Sequence, residues 1–222
     1  MKLNVVKGNM YDFITHTGNI IKGECFHDCT YCYMKKWGKL KPVRFDENEI
    51  KGDIPEGNFI FIGSSTDMFA NNIPSEWIFK SLEYLSKFDN KYLFQTKNPM
   101  NVIQFLKFFP KNSVFCTTIE TDQTYTEIMG RCPCPENRAF GMKRIMEAGF
   151  ETYLTIEPIM DFGMYNFIEL IKPCNFKQVN IGADSSCNNL PEPSKEKLIA
   201  FIEELQGFTT IHNKKNLKRL LK

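Results

Sequence analysis

The sequence contains no apolar run approaching the roughly 18 to 20 residues that a membrane-spanning helix needs, and its opening, MKLNVVKGNMYDF, has no apolar core or small-residue cleavage site of the secretory kind. A non-membrane, cytoplasmic protein is therefore expected. Histidine is scarce: His16, His27 and His212 are the only three, too few for the clustered His and Asp ligands of a zinc hydrolase. There is no internal repeat, low-complexity tract or linker to mark a second domain, so a single domain over residues 1–222 is expected, with a core of about 14–206 and a tail of 207–222. Bulk charge of one sign is also missing, since the net charge is only +2. It is unevenly spread, because Lys214, Lys215, Lys218, Arg219 and Lys222 give the tail +5 with no acid over its last nine residues. Such a run on a terminal helix is most simply a solvated face. The alternative is a helical face that follows a phosphate backbone, so a nucleic-acid partner is a further expectation.

Against these absences stand eight cysteines. Without a secretory signal they point to metal binding or redox chemistry rather than to disulfides, because the cytosol keeps thiols reduced. The rest of the composition, 42% hydrophobic and 24% charged, is that of an ordinary folded chain.

Short β-rich runs alternate with segments of helical period, the pattern of a parallel sheet built from βα units. Strands are predicted at 14–21, 58–63, 92–96, 113–119, 151–156 and 178–182. Helices are predicted at 30–37, 75–87, 100–109, 136–148, 162–171 and 194–205. Six βα units fit an open doubly wound sheet or a barrel lacking two of its eight units, and in both the carboxyl ends of the strands form the working surface. Polar residues collect just past those ends: Ser64-Ser65-Thr66-Asp67, Thr96-Lys97, Glu120-Thr121-Asp122, Glu157-Pro158 and Ala183-Asp184-Ser185.

The loop after the first strand reads Gly23-Glu24-Cys25-Phe26-His27-Asp28-Cys29-Thr30-Tyr31-Cys32-Tyr33, with three cysteines spaced C-x3-C-x2-C. Fully ligated cubane clusters take four thiolates; three leave one iron open to a substrate-like ligand. A structural zinc site is the competing reading, with a fourth ligand supplied by His27, Cys132 or Cys134.

This spacing, with aromatic Tyr31 before the last cysteine, resembles the radical S-adenosylmethionine (SAM) superfamily. Cys29-Thr30-Tyr31-Cys32-Tyr33, Phe61-Ile62-Gly63-Ser64, Thr96-Lys97-Asn98-Pro99, Thr155-Ile156-Glu157-Pro158 and Asn180-Ile181-Gly182-Ala183 are similar to the spore photoproduct lyase-like branch and to phage-associated radical SAM families related to it. The resemblance implies an α/β fold, a partial (β/α)6 TIM-like barrel with a [4Fe-4S] cluster on Cys25, Cys29 and Cys32. It also implies reductive cleavage of SAM to a 5′-deoxyadenosyl radical that abstracts hydrogen from a substrate, with electrons from a reductant such as flavodoxin or ferredoxin.

The family's Gly-Gly-Glu-like segment for the SAM amino group is replaced here by Gly63-Ser64-Ser65-Thr66-Asp67, making Ser64, Ser65 and Asp67 candidates; an N-cap cluster is the alternative. Tyr31, Thr118, Glu120, Glu157 and Asp184 are further cofactor-binding candidates, with Glu120 suited to a ribose diol. A structural salt bridge to Lys97 or Arg144 is the alternative for Glu157. Cys132 and Cys134, flanking Pro133, are candidates for an auxiliary metal, redox chemistry or hydrogen donation, or else a reduced structural pair; Cys116, Cys174 and Cys187 read as isolated, partly buried thiols. Two other classes remain as alternatives: a non-catalytic metal or iron–sulfur module, and a radical SAM enzyme acting on a peptide or small molecule.

Overall fold

Two periodicities build the molecule, and the computed structural model describes residues 1–222. The strands are β1 (Asn4–Val5), β2 (His16–Gly18), β3 (Ile21–Lys22), β4 (Arg44–Phe45), β5 (Phe59–Ile62), β6 (Lys91–Gln95), β7 (Ser113–Thr118), β8 (Glu151–Ile156), β9 (Gln178–Ile181) and β10 (Thr210–Asn213). The helices are α1 (Ser75–Leu85), α2 (Pro99–Val102), α3 (Thr126–Met129), α4 (Pro135–Glu147), α5 (Met164–Ile171) and α6 (Lys195–Gln206). The eight-stranded sheet has the order β1-β2-β5-β6-β7-β8-β9-β10, parallel throughout except where β1 meets β2, and β3 with β4 forms a separate antiparallel pair. This is the expected α/β partial-barrel class, an open parallel sheet with helices on its outer face.

The period of two along each strand sorts the core. Ile60, Ile62, Tyr92, Phe94, Phe115, Leu154 and Ile156 face outward into the main cluster beneath the helices. Phe61, Leu93, Val114, Cys116 and Tyr153 face inward and pack with Tyr11 and Ile14 from the amino-terminal segment. That segment closes the inner face at the amino ends of the strands. One alternation further on, the inward positions become Gly63, Gln95, Thr118, Thr155 and Glu157, which line a cavity instead of a core.

All six predicted strand regions are present, with two differences. The first, predicted over 14–21, divides into β2 and β3 around Asn19 and Ile20. The second is a seventh parallel strand, β10, in register with β9 from Thr210↔Gln178 to Asn213↔Ile181. Its exposed, polar sequence, Thr-Ile-His-Asn, has no apolar run to announce it, because an edge strand buries little. Among the helices, 30–37 shrinks to a 3-10 helix over Tyr33–Trp37, and 100–109 becomes the single turn of α2 followed by a 3-10 helix over Ile103–Phe108. Phe109 is extended, as a residue preceding proline prefers. Ser194 caps α6 by accepting from Lys197 N at 3.2 Å.

The basic tail is not the exposed helix that its spacing suggested. After β10 the chain makes a 3-10 helix over Lys215–Arg219, with Leu217 fully buried in the main core. Lys214 pairs with Glu157, and Arg219 pairs with Glu192 at 2.7 Å through Nη1. Two of the charges expected to meet phosphate are thus engaged inside the protein, and residues 207–222 belong to the sheet and core rather than to an appended tail. Leu217→Ala is expected to lower unfolding stability by about 2–5 kcal/mol in denaturant titration, as for a core leucine. A loss below about 0.5 kcal/mol, typical of a surface change, would show that the tail is peripheral.

Candidate functional site

The carboxyl ends of the strands surround a cavity of about 490 Å³. Cys25, Cys29 and Cys32 all line it, as do Tyr31, Ser64, Ser65, Asp67, Thr118, Glu157 and Asp184; Glu120, Cys132 and Cys134 do not. The thiols come from the loop that follows β3. That loop is held from outside by the irregular segment after β7: Thr30 N donates to Ile128 O at 2.9 Å, and Arg131 N donates to His27 O at 2.7 Å. Gly130 permits this close approach, since at φ +63° a Cβ there would lie 2.2 Å from His27 O.

Beneath the loop lies an ion network whose centre is fully buried. Glu120, 0% exposed, accepts from Arg138 Nη1 at 2.6 Å, from Lys97 Nζ at 2.7 Å and from the Tyr31 hydroxyl. Arg138, also 0% exposed, further donates to Thr118 O at 2.9 Å and Pro133 O at 2.6 Å. Burial opposes ionisation of Glu120, but the charges of Arg138 and Lys97 outweigh it and hold the carboxyl down at about 2. The expectation that Glu120 grips a ribose diol is corrected: its oxygens are engaged by three protein donors, and it is walled off from the cavity. Lys97, weighed above as a salt-bridge partner for Glu157, pairs with Glu120 instead, and Glu157 pairs with Lys214.

Lys97 Nζ also stands 3.4 Å from Cys29 Sγ and 4.4 Å from the Tyr31 ring centre. Cys132 Sγ lies 3.3 Å from Cys29 Sγ. The hydrogen bond from the Cys132 thiol, helped by Lys97 and against burial, lowers the Cys29 pKa, and the same thiolate with burial raises that of Cys132. Burial and then the Asp67 charge push Cys25 up to about 11. Cys132 therefore backs the cysteine loop rather than facing substrate space. Cys134 occupies the residue before α4, where Pro135 takes the first helical position. Neither is placed for hydrogen donation into the cavity. Cys116 and Cys174 are buried as expected, and Cys187 is exposed.

Asp67 is mostly buried at the cavity wall and already satisfied. Its Oδ2 accepts from His27 Nε2 at 2.7 Å, Lys97 N at 2.8 Å and the Thr96 hydroxyl at 2.9 Å, and its Oδ1 accepts from Phe69 N at 2.9 Å. It orients Lys97 and His27 and has little left for a ligand. Asp184 likewise closes its own loop, accepting from Ser186 N at 3.0 Å and Asn188 Nδ2 at 2.6 Å. Ser64 and Ser65 are gathered by Asn19, whose Oδ1 accepts from Ser65 N at 3.0 Å and the Ser65 hydroxyl at 2.9 Å. Glu157 lines the far wall, held by Asn9 Nδ2 at 2.8 Å, Asn216 Nδ2 at 2.6 Å and Lys214.

Sequence reading placed Lys97 at a strand end but missed Arg138, Asn9, Asn19, Lys214 and Asn216. Asn9 and Lys214 come from opposite ends of the chain and carry no local signal. Arg138 had one, for it falls four residues after Cys134 on the face of α4 that otherwise carries Ala139, Met142 and Ile145. A charge on a buried face implies a buried partner.

Three thiols on one cavity wall can be set against what a four-iron cluster would require. No group of three Cys, His, Asp or Glu side chains closes on one ion-sized point. A cluster, in which each thiolate binds a different iron, calls for thiols spread over a common wall, and Cys25, Cys29 and Cys32 all front one cavity. The donor set fits the cluster.

Glu120→Ala is expected to cost about 3–5 kcal/mol in denaturant unfolding, because it leaves Arg138 buried without its partner. Glu120→Gln should cost less. The carboxylate's folded pKa of about 2 lies below its ordinary 4.5. Its stabilisation is therefore complete above 4.5 and disappears as pH falls through about 2, so the stability gap between wild type and Glu120→Gln should close over that interval. A pH-independent gap would contradict the ionised pairing.

No protein-family model and no curated protein sequence matches the chain. Solved structures do. Spore photoproduct lyase complexed with dinucleoside spore photoproduct superposes with a TM-score of 0.66 at 12% identity, over 93% of this chain and 78% of that one. A lyase variant with bound AdoMet and dinucleoside spore photoproduct gives 0.59 at 14%, over 90% and 64%. SuiB from Streptococcus suis bound to S-adenosylmethionine gives 0.52 at 13%, over 70% and 39%. At these identities the likeness is one of fold: this chain is built on the partial barrel shared by the radical SAM enzymes spore photoproduct lyase and SuiB.

Proposed function

We propose that this protein is a radical SAM enzyme, with Cys25, Cys29 and Cys32 holding a [4Fe-4S] cluster and SAM lying in the cavity beside it. One observation carries the reading: a C-x3-C-x2-C loop opens into the same 490 Å³ cavity as the polar strand ends, on a fold whose solved relatives include SAM-bound structures. When bound, the reduced cluster and SAM supply a 5′-deoxyadenosyl radical that abstracts hydrogen from the substrate.

The chain's own part is to hold and orient. Lys97, donating to Cys29 Sγ at 3.4 Å, balances thiolate charge on the loop. Ser64 and Ser65, aligned by Asn19, offer hydroxyls to the polar end of SAM, and Thr118, one alternation beyond Cys116, offers another on the cavity floor. Tyr31 closes the cavity over the buried network. Glu157 lines the opposite wall with Asn9 and Asn216 on Oε1 and only Lys214 on Oε2, so that, unlike Asp67, it keeps lone pairs on Oε2 for a ribose or substrate hydroxyl. The aligned lyase structures carry a dinucleoside photoproduct, and a nucleic-acid substrate is the class proposed for this chain, with a flavodoxin or ferredoxin as electron donor.

Anaerobic reconstitution with iron and sulfide tests the reading. Wild-type protein is expected to take up a full cluster and, with dithionite, to convert SAM to 5′-deoxyadenosine. Cys25→Ala, Cys29→Ala and Cys32→Ala are each expected to abolish both, since each removes one iron's anchor. Iron content and EPR of the reduced state are the measurements. A single variant that keeps a complete, SAM-responsive cluster refutes the ligand assignment; Cys132→Ala should retain one.

A further inference from the structure

The stretch immediately after the cluster loop, Tyr-Met-Lys-Lys-Trp-Gly-Lys-Leu-Lys-Pro-Val-Arg-Phe over residues 33–45, contains five basic residues and no acid. Lys35 is paired with Asp28 at 2.8 Å. Lys36, Lys39, Lys41 and Arg44 form no ion pair, and all four are exposed. Charged loops are usually solvated faces, but here aromatics are exposed among the charges. Trp37 is 75% exposed and Tyr33 49%, and the 3-10 helix that carries them buries no residue. A tryptophan left in water contributes nothing to the core and is available to meet a partner.

The segment is fixed to the site. The Tyr33 hydroxyl donates to Ser64 O at 2.6 Å, and Glu24 N donates to Lys41 O at 2.9 Å. Gly23, at φ +118°, allows the strap to press against the cluster loop, since a Cβ there would meet Pro42 O at 2.5 Å. A second cavity of about 350 Å³ lies under the strap, walled by Lys41, Arg44 and Lys22, and it shares Met34 and Ser65 with the first cavity, whose rim carries Lys36. Lys22 is neutralised by Asp46 and Glu49, at 2.8 and 2.5 Å. Free positive charge on Lys36, Lys41 and Arg44 therefore lines two adjoining depressions, one of them the cofactor cavity.

We propose that Tyr33–Arg44 is a docking surface for a nucleic acid presenting an unstacked base, with Lys39, Lys41 and Arg44 following the phosphates and Trp37 stacking on the base. The inference rests on the functional reading above for what the bound strand is delivered to. Alternating cations and exposed aromatics are what single strands require, because every base offers a π-face while the backbone offers a charge at each step. A basic patch with tryptophan also suits an anionic lipid surface. The surface favours the strand: Lys41 and Arg44 wall a concave depression that adjoins the cavity, which fits a flexible chain better than a flat sheet.

Fluorescence anisotropy with a fluorescein-labelled single-stranded oligodeoxynucleotide, and with the same strand annealed to its complement, tests the surface on reconstituted protein. The single strand is expected to bind more tightly than the duplex, with an affinity that falls steeply with salt. Replacing Lys39, Lys41 and Arg44 together by Ala should reduce the slope of log K against log salt by roughly 0.7 for each phosphate no longer neutralised. Trp37→Ala should weaken single-strand binding by roughly tenfold and leave that slope unchanged. These side chains are exposed, and unfolding midpoints equal to wild type verify intact variants.

Wild-type affinity and slope in both variants overturn the proposal, as does the absence of binding at low salt. Binding to phosphatidylserine vesicles without binding to the strand assigns the patch to a membrane and overturns it too. Iron content and SAM cleavage are read on the same preparation. Cleavage without strand binding defeats the surface and leaves the enzyme reading standing, whereas strand binding lost in the variants supports the surface even if no cluster forms.

Discussion

The buried ion cluster of Glu120, Arg138 and Lys97 is the constraint on which the site depends. An ionised carboxylate with no exposure to water is tolerated only if its charge and its lone pairs are met by donors in good geometry. Here those donors come from separate elements: Lys97 from the end of β6, Arg138 from α4, and the Tyr31 hydroxyl from the cysteine loop. The pairing therefore joins two strand ends, one helix and the loop that presents the three thiols. Arg138 extends the tie through Pro133 O to the segment that carries Cys132, which reaches Cys29 from behind. Such a network contributes little net stability against an apolar substitute, but it is intolerant of losing a member, and it thereby fixes the loop that presents the three thiols.

A second set of polar interactions closes the opposite wall of the cavity and is built differently. Glu157, at the end of β8, collects Asn9 from the amino-terminal segment with Lys214 and Asn216 from the carboxyl-terminal turn. Adding β10 to the edge of the sheet is what brings Lys214 to that position. The terminal basic run, which in isolation looks like a phosphate-binding face, is partly consumed in finishing the barrel wall. Unpaired positive charge next to the cavity lies elsewhere, on Lys7 and on the strap over residues 33–45.

Alternation along the strands divides the inner face into two zones. Towards the amino ends it is apolar and plugged by Tyr11 and Ile14; towards the carboxyl ends it is polar and open. Tyr11 marks the boundary, its hydroxyl bonding to Thr155 at 2.6 Å and to Gln95 at 2.9 Å. The two zones give the cavity a rigid, water-excluding base and an open mouth. The same chain segments provide them through nothing more than a change of residue type at every second position.

The strands, their parallel arrangement and the three-thiol loop were legible in the sequence because each is a local pattern: period-two apolar runs, helical spacing between them, and a fixed C-x3-C-x2-C interval. The six expected strand regions and the cavity-lining positions of Cys25, Cys29, Cys32, Ser64, Ser65, Thr118 and Glu157 all follow from such patterns. The roles of Glu120, Asp67 and Asp184 did not, since a carboxylate at a strand end reads the same whether it faces a ligand or a buried arginine. β10, the pairing of Lys214 with Glu157, and the placement of Cys132 behind Cys29 are products of tertiary structure alone. Local spacing determines which face of an element a residue occupies; which distant charge meets it there is decided only when the chain closes, because a buried charge must find a partner irrespective of its distance along the sequence.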